Sequence, residues 1–103
     1  MKFVFTYTNR AGSNAADNLE NLESSQKLLS TWKPSEVATI REWVQRCDGN
    51  GGFSVVEVDN PDELYRDLVT WSPWFEFQVF PVIDVLQVPP LNIEAISVAK
   101  SAF

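Results

Sequence analysis

A dense turn signal in the middle of the chain constrains the fold more than any other feature. Asp48-Gly49-Asn50-Gly51-Gly52 is typical of a tight β-hairpin turn. The segment after it, Phe53 to Val58, is rich in β-branched and aromatic residues and is the clearest strand in the sequence. A hairpin needs a first arm, and Thr39 to Gln45 is the candidate that precedes the turn. Apolar residues in this region also fit a helical spacing, but the turn favours a strand over Thr39 to Gln45.

The rest of the chain alternates between strand and helix patterns. Lys2 to Thr8 has aromatic and β-branched residues at period two, which predicts a strand. From Ala15 the leucines recur at helical spacing, and Pro34 requires this helix to end near Trp32. A second helix begins at Asn60-Pro61 and ends at Ser72-Pro73. Trp74 to Asp84 is the last predicted strand, in which Pro81 indicates a break or an edge position.

This order of elements predicts an α+β domain with a ferredoxin-like βαββαβ layout. Short right-handed connections give a four-stranded antiparallel sheet with two helices on one face. We assign residues 1–84 to this domain. Residues 85–103 form a C-terminal extension, which Pro89-Pro90 separates from the domain and whose apolar residues predict a short helix.

The sheet has apolar residues on both faces, although two helices cover only one of them. The first strand offers Phe3, Phe5 and Tyr7 on one side and Val4 and Thr6 on the other. An uncovered apolar face usually marks an interface or a ligand site. We therefore expect a homodimer in which the sheet faces meet, as in a dimeric α+β barrel. The alternative is a monomer whose C-terminal extension folds back over the sheet.

Charge and cysteine content indicate the partners and the compartment. The formal charge is −6, which disfavours binding to nucleic acid or to an anionic membrane surface. Cys47 is the one cysteine, so no internal disulfide forms and a reducing compartment is favoured. No apolar run approaches the length of a membrane helix, and polar residues from Thr6 interrupt the apolar start too early for a signal peptide. We expect a cytoplasmic protein.

The sequence contains no histidine, which removes the commonest general base and the commonest metal ligand. A catalytic Ser-His-Asp triad and haem binding through histidine are excluded, and a zinc site is unfavourable. No glycine-rich phosphate-binding motif is present. We expect no metal and no cofactor.

Five residues are candidates for a ligand site. Arg41 and Trp43 are two apart on one strand and are expected to share a face, with Glu57 on the adjoining strand, so that together they clamp a carboxylate or an aromatic ligand. The alternative is an Arg–Glu cross-strand pair with the tryptophan in the core. Tyr7 and Glu76 lie on neighbouring strands, where a carboxylate in an apolar cleft has a raised pKa and acts as a base. The alternative places Glu76 on the solvent side of an edge strand.

Short motifs along the chain resemble one family of small bacterial proteins. They are the opening Lys2-Phe3-Val4-Phe5, Ile40-Arg41-Glu42-Trp43 before the turn, Gly51 to Asp59 after it, the helix through Leu68 and Trp71, and Phe75 to Val82. The chain is similar here to the DUF3303 family, whose members are uncharacterised and related to the dimeric α+β barrel group. The resemblance implies a ferredoxin-like protomer and a dimer closed by facing sheets. It implies no reaction.

Three functions fit these observations. The first is a homodimer that binds a small hydrophobic or aromatic molecule without catalysis. The second is a protein-interaction module that uses Pro89 to Phe103 as its contact element. The third is a cofactor-independent enzyme, similar to a monooxygenase or an isomerase, with Tyr7, Arg41, Trp43 and Glu76 at its site.

Overall fold

The computed structural model describes residues 1–102 and contains one sheet and three α-helices. The strands are β1 (Lys2–Asn9), β2 (Thr39–Gln45), β3 (Gly52–Glu57) and β4 (Phe75–Val82). The helices are α1 (Ala15–Thr31), α2 (Pro61–Trp71) and α3 (Val88–Ser101), and a 3-10 turn (Val85–Gln87) precedes α3.

The sheet has the strand order β2-β3-β1-β4, and all neighbouring strands are antiparallel. This confirms the predicted α+β fold with a four-stranded antiparallel sheet, and the order of strands and helices roughly fits a ferredoxin-like arrangement. The predicted strand at Thr39–Gln45 is confirmed as β2. Pro81 lies in β4, which is an edge strand. The outer side of an edge strand has no neighbouring strand to bond, so a proline without a backbone N–H is tolerated there.

Helix boundaries follow from capping residues that the sequence shows. The Asn14 side chain accepts a hydrogen bond from the backbone N–H of Asp17 at 2.9 Å and so begins α1. Asn60 accepts from the N–H of Asp62 at 3.0 Å, and Pro61 takes the first position of α2. These caps fix the residue at which each helix begins.

The helices lie on one face of the sheet, and the other face is exposed in the protomer. Phe3, Phe5 and Tyr7 of β1 point to the side of the helices, where Phe3 packs with residues of β3 and α2 in the core. The other side, which we call the open face, carries six apolar or β-branched residues: Val4, Thr6, Phe53, Val55, Phe80 and Val82. Phe53 and Phe80 on the open face are 46% and 49% exposed. The open face therefore retains a large apolar surface in the protomer.

The apolar face that the leucine spacing predicts for α1 is not packed into the core. Leu19, Leu22 and Leu29 remain about half exposed, whereas the buried residue of the helix is Ser25. The physical reason is that α1 stands away from the sheet and leaves a cavity beneath it. The sequence pattern identifies the helix correctly, but it does not show how closely the helix approaches the sheet.

The C-terminal extension forms the predicted helix, α3, and this helix lies away from the rest of the protomer. The radius of gyration is 18.3 Å, compared with about 13 Å for a globular chain of this length. None of the helices within residues 1–102 is both long and apolar enough to cross a bilayer.

Candidate functional site

A cavity of about 910 Å³ lies between α1, α2 and the helix-facing side of the sheet. Phe5 and Tyr7 of β1 form part of its floor, Leu22 of α1 and Trp71 of α2 contribute to its walls, and Ala38 lies where the chain enters β2. Natural ligand pockets typically measure about 300–1,000 Å³, so this cavity has room for a small organic molecule.

Eight aromatic side chains line the cavity and contact one another; we call them the aromatic cluster. Its members are Phe5, Tyr7, Trp32, Trp43, Trp71, Trp74, Phe75 and Phe77. Trp32 lies between two other tryptophans. Its ring centroid is 5.8 Å from that of Trp43 and 5.4 Å from that of Trp71. All four tryptophans of the chain belong to the cluster. Most of these contacts are tilted or edge to face, the geometry that aromatic pairs prefer.

The ends of the two helices position the tryptophans. Trp32 follows the last residue of α1, and Trp71 is the last residue of α2. The indole N–H of Trp74 donates to the hydroxyl of Ser24 at 2.9 Å and links α1 to the start of β4. The indole N–H of Trp71 is buried and has no acceptor among residues 1–102. A buried donor without an acceptor is uncommon in folded proteins and points to a missing partner.

Tyr7 is held in place by β2 and β3. Its hydroxyl lies 3.1 Å from both the backbone carbonyl oxygen of Val44 and the side-chain oxygen of Gln45, and its single proton is shared between these two acceptors. Burial raises the pKa of the phenol, so Tyr7 is protonated at neutral pH. Gly52 leaves room for the ring, since a Cβ atom at this position would lie 2.6 Å from the Tyr7 hydroxyl.

The polar part of the lining consists mainly of amides, which are Asn9, Asn18, Asn21, Gln26, Gln45 and Asn50. Asp67 of α2 contributes a carboxylate, which accepts a hydrogen bond from the backbone N–H of Ser35 at 3.2 Å. Burial raises the pKa of this carboxyl. Arg10 also lines the cavity, but its guanidinium donates to the carbonyl of Ser72 at 2.6 Å and to Glu76 at 3.3 Å. The lining is therefore mainly aromatic and amide, with two ionisable side chains, Asp67 and Arg10.

Tyr7 and Trp43 are the sequence-predicted site residues that the structure places at the cavity. The expectation that Arg41 and Trp43 share a face is wrong. Ile40 pairs with Val56 and Glu42 pairs with Val55, so Arg41 is the extra residue of a β-bulge and turns to the opposite side.

Arg41 and Glu57 form a cross-strand ion pair on the side of the open face. The guanidinium lies 2.8 Å from the Glu57 carboxylate, and the Lys2 ammonium lies 3.7 Å from it. The hydrogen bond from Arg41 lowers the pKa of Glu57. Both residues thus serve the alternative role that the sequence left open, an Arg–Glu pair between neighbouring strands.

Glu76 lies outside the cavity lining, and its side chain is 66% exposed and pairs with Arg10. The structure does not bring Glu76 and Tyr7 together. Trp32, Trp71, Leu22 and Asp67 are lining residues that the sequence analysis did not select. The sequence does carry one signal for the aromatic cluster. It has four tryptophans in 103 residues, and three of them flank the ends of the predicted helices.

These features define a small α+β protein with an aromatic cavity between its helices and its sheet. Residues 1–95 match the family model DUF3303, described as a domain of unknown function, and the chain belongs to this family. The match extends through the first half of α3. No curated protein sequence matches the chain. The described residues 1–102 contain no cluster of three or more acidic or cysteine side chains that would hold a metal ion.

Proposed function

We propose that this protein binds a small hydrophobic or aromatic molecule in the cavity between α1 and the sheet and does not transform it. The observation that carries the proposal is the aromatic cluster around a space of about 910 Å³. Aromatic rings contribute large apolar surfaces and favour flat ligands through offset or edge-to-face contacts. A planar ring system of two or three fused rings fits this lining in size and polarity.

Two leucines of α1 support an apolar ligand. Leu22 and Leu29 line the cavity, yet they are 58% and 45% exposed because no protein group fills the space beside them. A ligand between α1 and the sheet removes both side chains from water. At about 25 cal/mol per Å² of apolar surface, this burial provides a substantial part of the binding free energy.

The indole N–H of Trp71 indicates one polar feature of the ligand. This buried donor has no acceptor among residues 1–102. A buried donor that lacks an acceptor costs about 1–3 kcal/mol. The N–H is closed to water in the protomer, so a ligand oxygen recovers that free energy once the Trp71 ring turns its N–H toward the cavity. An aromatic molecule with a carbonyl or ether oxygen therefore suits the cavity better than a pure hydrocarbon.

Binding is favoured over catalysis because of the titratable groups at the cavity. Tyr7 is a protonated phenol whose hydroxyl already donates to β2, and Asp67 accepts from the backbone of Ser35. Glu76, the candidate base of the enzyme hypothesis, is exposed and paired with Arg10. The arrangement thus favours recognition of a ligand over proton transfer to it.

We further propose that the protein is a homodimer whose open faces meet, as in a dimeric α+β barrel. Phe53 and Phe80 leave about half of their surfaces exposed among the aliphatic residues of the open face. Apolar patches of this kind on small proteins mark interaction sites. The homodimer leaves the cavity free, because the cavity lies on the opposite side of the sheet.

A fluorescent probe tests the binding proposal directly. N-phenyl-1-naphthylamine is uncharged and fluoresces strongly in apolar surroundings, so its titration reports the cavity. Leu22→Glu places a carboxylate at the cavity and should weaken probe binding at least about tenfold, or about 1.4 kcal/mol. Leu19→Glu is the matched control, because Leu19 lies on the same helix, is 57% exposed and does not line the cavity.

The two variants separate specific binding from general surface hydrophobicity. Probe binding by the wild type that Leu22→Glu abolishes and Leu19→Glu preserves supports the proposal. Equal loss in both variants, or no probe binding by the wild type, would overturn it. Circular dichroism of each variant checks that the fold is intact.

A further inference from the structure

The C-terminal helix α3 is mostly apolar, and its polar residues Glu94, Ser97 and Ser101 lie together on one side. Leu91, Ile93, Ile96 and Val98 are between 52% and 70% exposed. A helix with a broad apolar face normally packs that face against another element. An isolated helix of 14 residues is also marginal in water, so α3 needs a packing partner to stay folded.

The connection between β4 and α3 directs the helix away from its own protomer. Ile83 and Asp84 are the residues between β4 and the 3-10 turn. The Asp84 carboxylate pairs with Lys2, and the Asp84 N–H donates to the side-chain oxygen of Gln87 at 3.2 Å. These contacts fix the direction of the chain as it leaves the sheet.

We propose that α3 packs on a second copy of this chain, so that the C-terminal helix of each protomer contacts the other protomer. This inference rests on the proposed homodimer and adds a second contact region to it. Charge does not oppose the contact, because α3 carries one acidic and one basic residue, Glu94 and Lys100.

The residues just before α3 add apolar surface to the helix. Val85 and Leu86, just before α3, are 81% and 90% exposed and extend the apolar surface of the helix toward β4. Together with the open face, these residues form a larger exposed apolar surface than the open face alone. A stable interface buries roughly 800 Å² on each partner, which the open face and α3 reach together more readily than the open face alone.

The oligomeric state of the full-length chain tests this inference. Light scattering after size exclusion, over a dilution series, should give twice the 11.7 kDa mass for the wild type. Ile96→Glu places a charge on the apolar surface of α3 and should raise the dimer dissociation constant at least about tenfold. Ser97→Glu is the matched control at the next position of the same helix and should stay within about twofold of the wild type.

Hydrogen exchange distinguishes packing on the partner from packing on the same chain. The amides of α3 should be protected in the wild-type dimer and should exchange rapidly in Phe80→Glu, a variant whose charge on the open face separates the protomers. Protection that persists in a Phe80→Glu monomer would overturn the inference, because α3 would then pack on its own protomer.

The outcomes separate the two proposals. If Ile96→Glu remains as dimeric as Ser97→Glu, the inference about α3 is wrong while the facing-sheet dimer stands. A wild type that is monomeric throughout the dilution series overturns both. Circular dichroism of the same variants shows that each of them is folded.

Discussion

Trp32 and Trp71 meet edge to face, with ring centroids 5.4 Å apart and ring planes at 82°. Trp32 follows α1 and Trp71 ends α2, so this contact joins the two helices above β2. The hydrogen bond between Trp74 and Ser24 holds α1 at a second point. Because α1 has little other contact with the sheet, these tryptophans determine the shape of the cavity.

The first prediction concerns Trp32. Trp32→Ala removes the contact between the helices and should lower the free energy of unfolding by about 2 kcal/mol, less than for a fully buried tryptophan, because Trp32 is only half-buried. It should also weaken binding of N-phenyl-1-naphthylamine, whereas Trp32→Phe should retain most of it. Urea unfolding and probe titration measure the two effects. Tyr65→Ala, at a residue of α2 that is 71% exposed, is the control and should change neither quantity.

The second prediction concerns the indole N–H of Trp71. Trp71→Phe keeps an aromatic ring and removes the buried donor that lacks an acceptor. Stability should change little, because the lost ring volume is offset by the loss of an unsatisfied donor worth about 1–3 kcal/mol. Affinity for 2-acetylnaphthalene, which carries a carbonyl oxygen, should fall relative to that for 2-ethylnaphthalene. Isothermal titration calorimetry with both compounds measures the ratio, and an unchanged ratio would show that Trp71 does not donate to the ligand.

Local chemistry explains why the fold was predictable from the sequence. Asn14 and Asn60-Pro61 are capping signals that act within one turn of helix, and the glycine-rich turn specifies the β2–β3 hairpin without distant contacts. The apolar character of both sheet faces was also visible, because alternation in β1 assigns neighbouring residues to opposite sides.

The site was less predictable because it depends on features that act at a distance. The β-bulge at Arg41 reverses the side on which this residue lies, and no residue in the β2 sequence marks the bulge. The gap beneath α1 depends on where Trp32 and Ser24 anchor the helix, so the spacing of Leu22 and Leu29 could not reveal it. Tyr7 and Trp43 do lie at the cavity, but each was selected for a pairing, with Glu76 and with Arg41 respectively, that the structure does not show.

The third prediction tests the close approach of β2, β3 and Tyr7 at Gly52. A Cβ atom there would lie 1.9 Å from the Val44 carbonyl oxygen and 2.6 Å from the Tyr7 hydroxyl. Gly52→Ala should therefore cost at least about 3 kcal/mol of stability, since backbone atoms of β2 must move. Gly49→Ala is the control, because Gly49 has φ of 76° but open space around it, and should cost about 1–2 kcal/mol. Thermal unfolding of both variants checks the order.

The fourth prediction concerns pH and Asp67. Burial favours the neutral acid, so the folded protein binds this proton more tightly than the unfolded chain does. The free energy of unfolding therefore falls as pH rises from 3.8, the ordinary pKa of an aspartate, through the raised pKa of Asp67 in the folded protein. Asp67→Asn removes the charge and should be more stable than the wild type at neutral pH, with the difference vanishing in acid.

The stability of a Glu57 variant should depend on pH in the opposite direction, and urea unfolding over a pH series measures both variants. Arg41 lowers the pKa of Glu57, so the charged carboxylate stabilises the folded state above its ordinary value of 4.5. That contribution is lost as pH falls through the lowered pKa. Glu57→Gln should therefore be less stable than the wild type at neutral pH and should approach it in acid. If both variants shift in the same direction, the assigned environments are wrong.

The last prediction separates the two sides of the sheet at neighbouring residues of β2. Trp43 belongs to the aromatic cluster, whereas Arg41 pairs with Glu57 on the other side. Trp43→Ala should weaken probe binding strongly, while Arg41→Ala should leave it unchanged and lower stability by less than about 1 kcal/mol, as expected for an exposed ion pair. The small effect of Arg41→Ala should shrink further at high salt, because salt screens exposed charges. Loss of probe binding in Arg41→Ala with unchanged stability would instead place Arg41 at the ligand, as a clamp shared with Trp43.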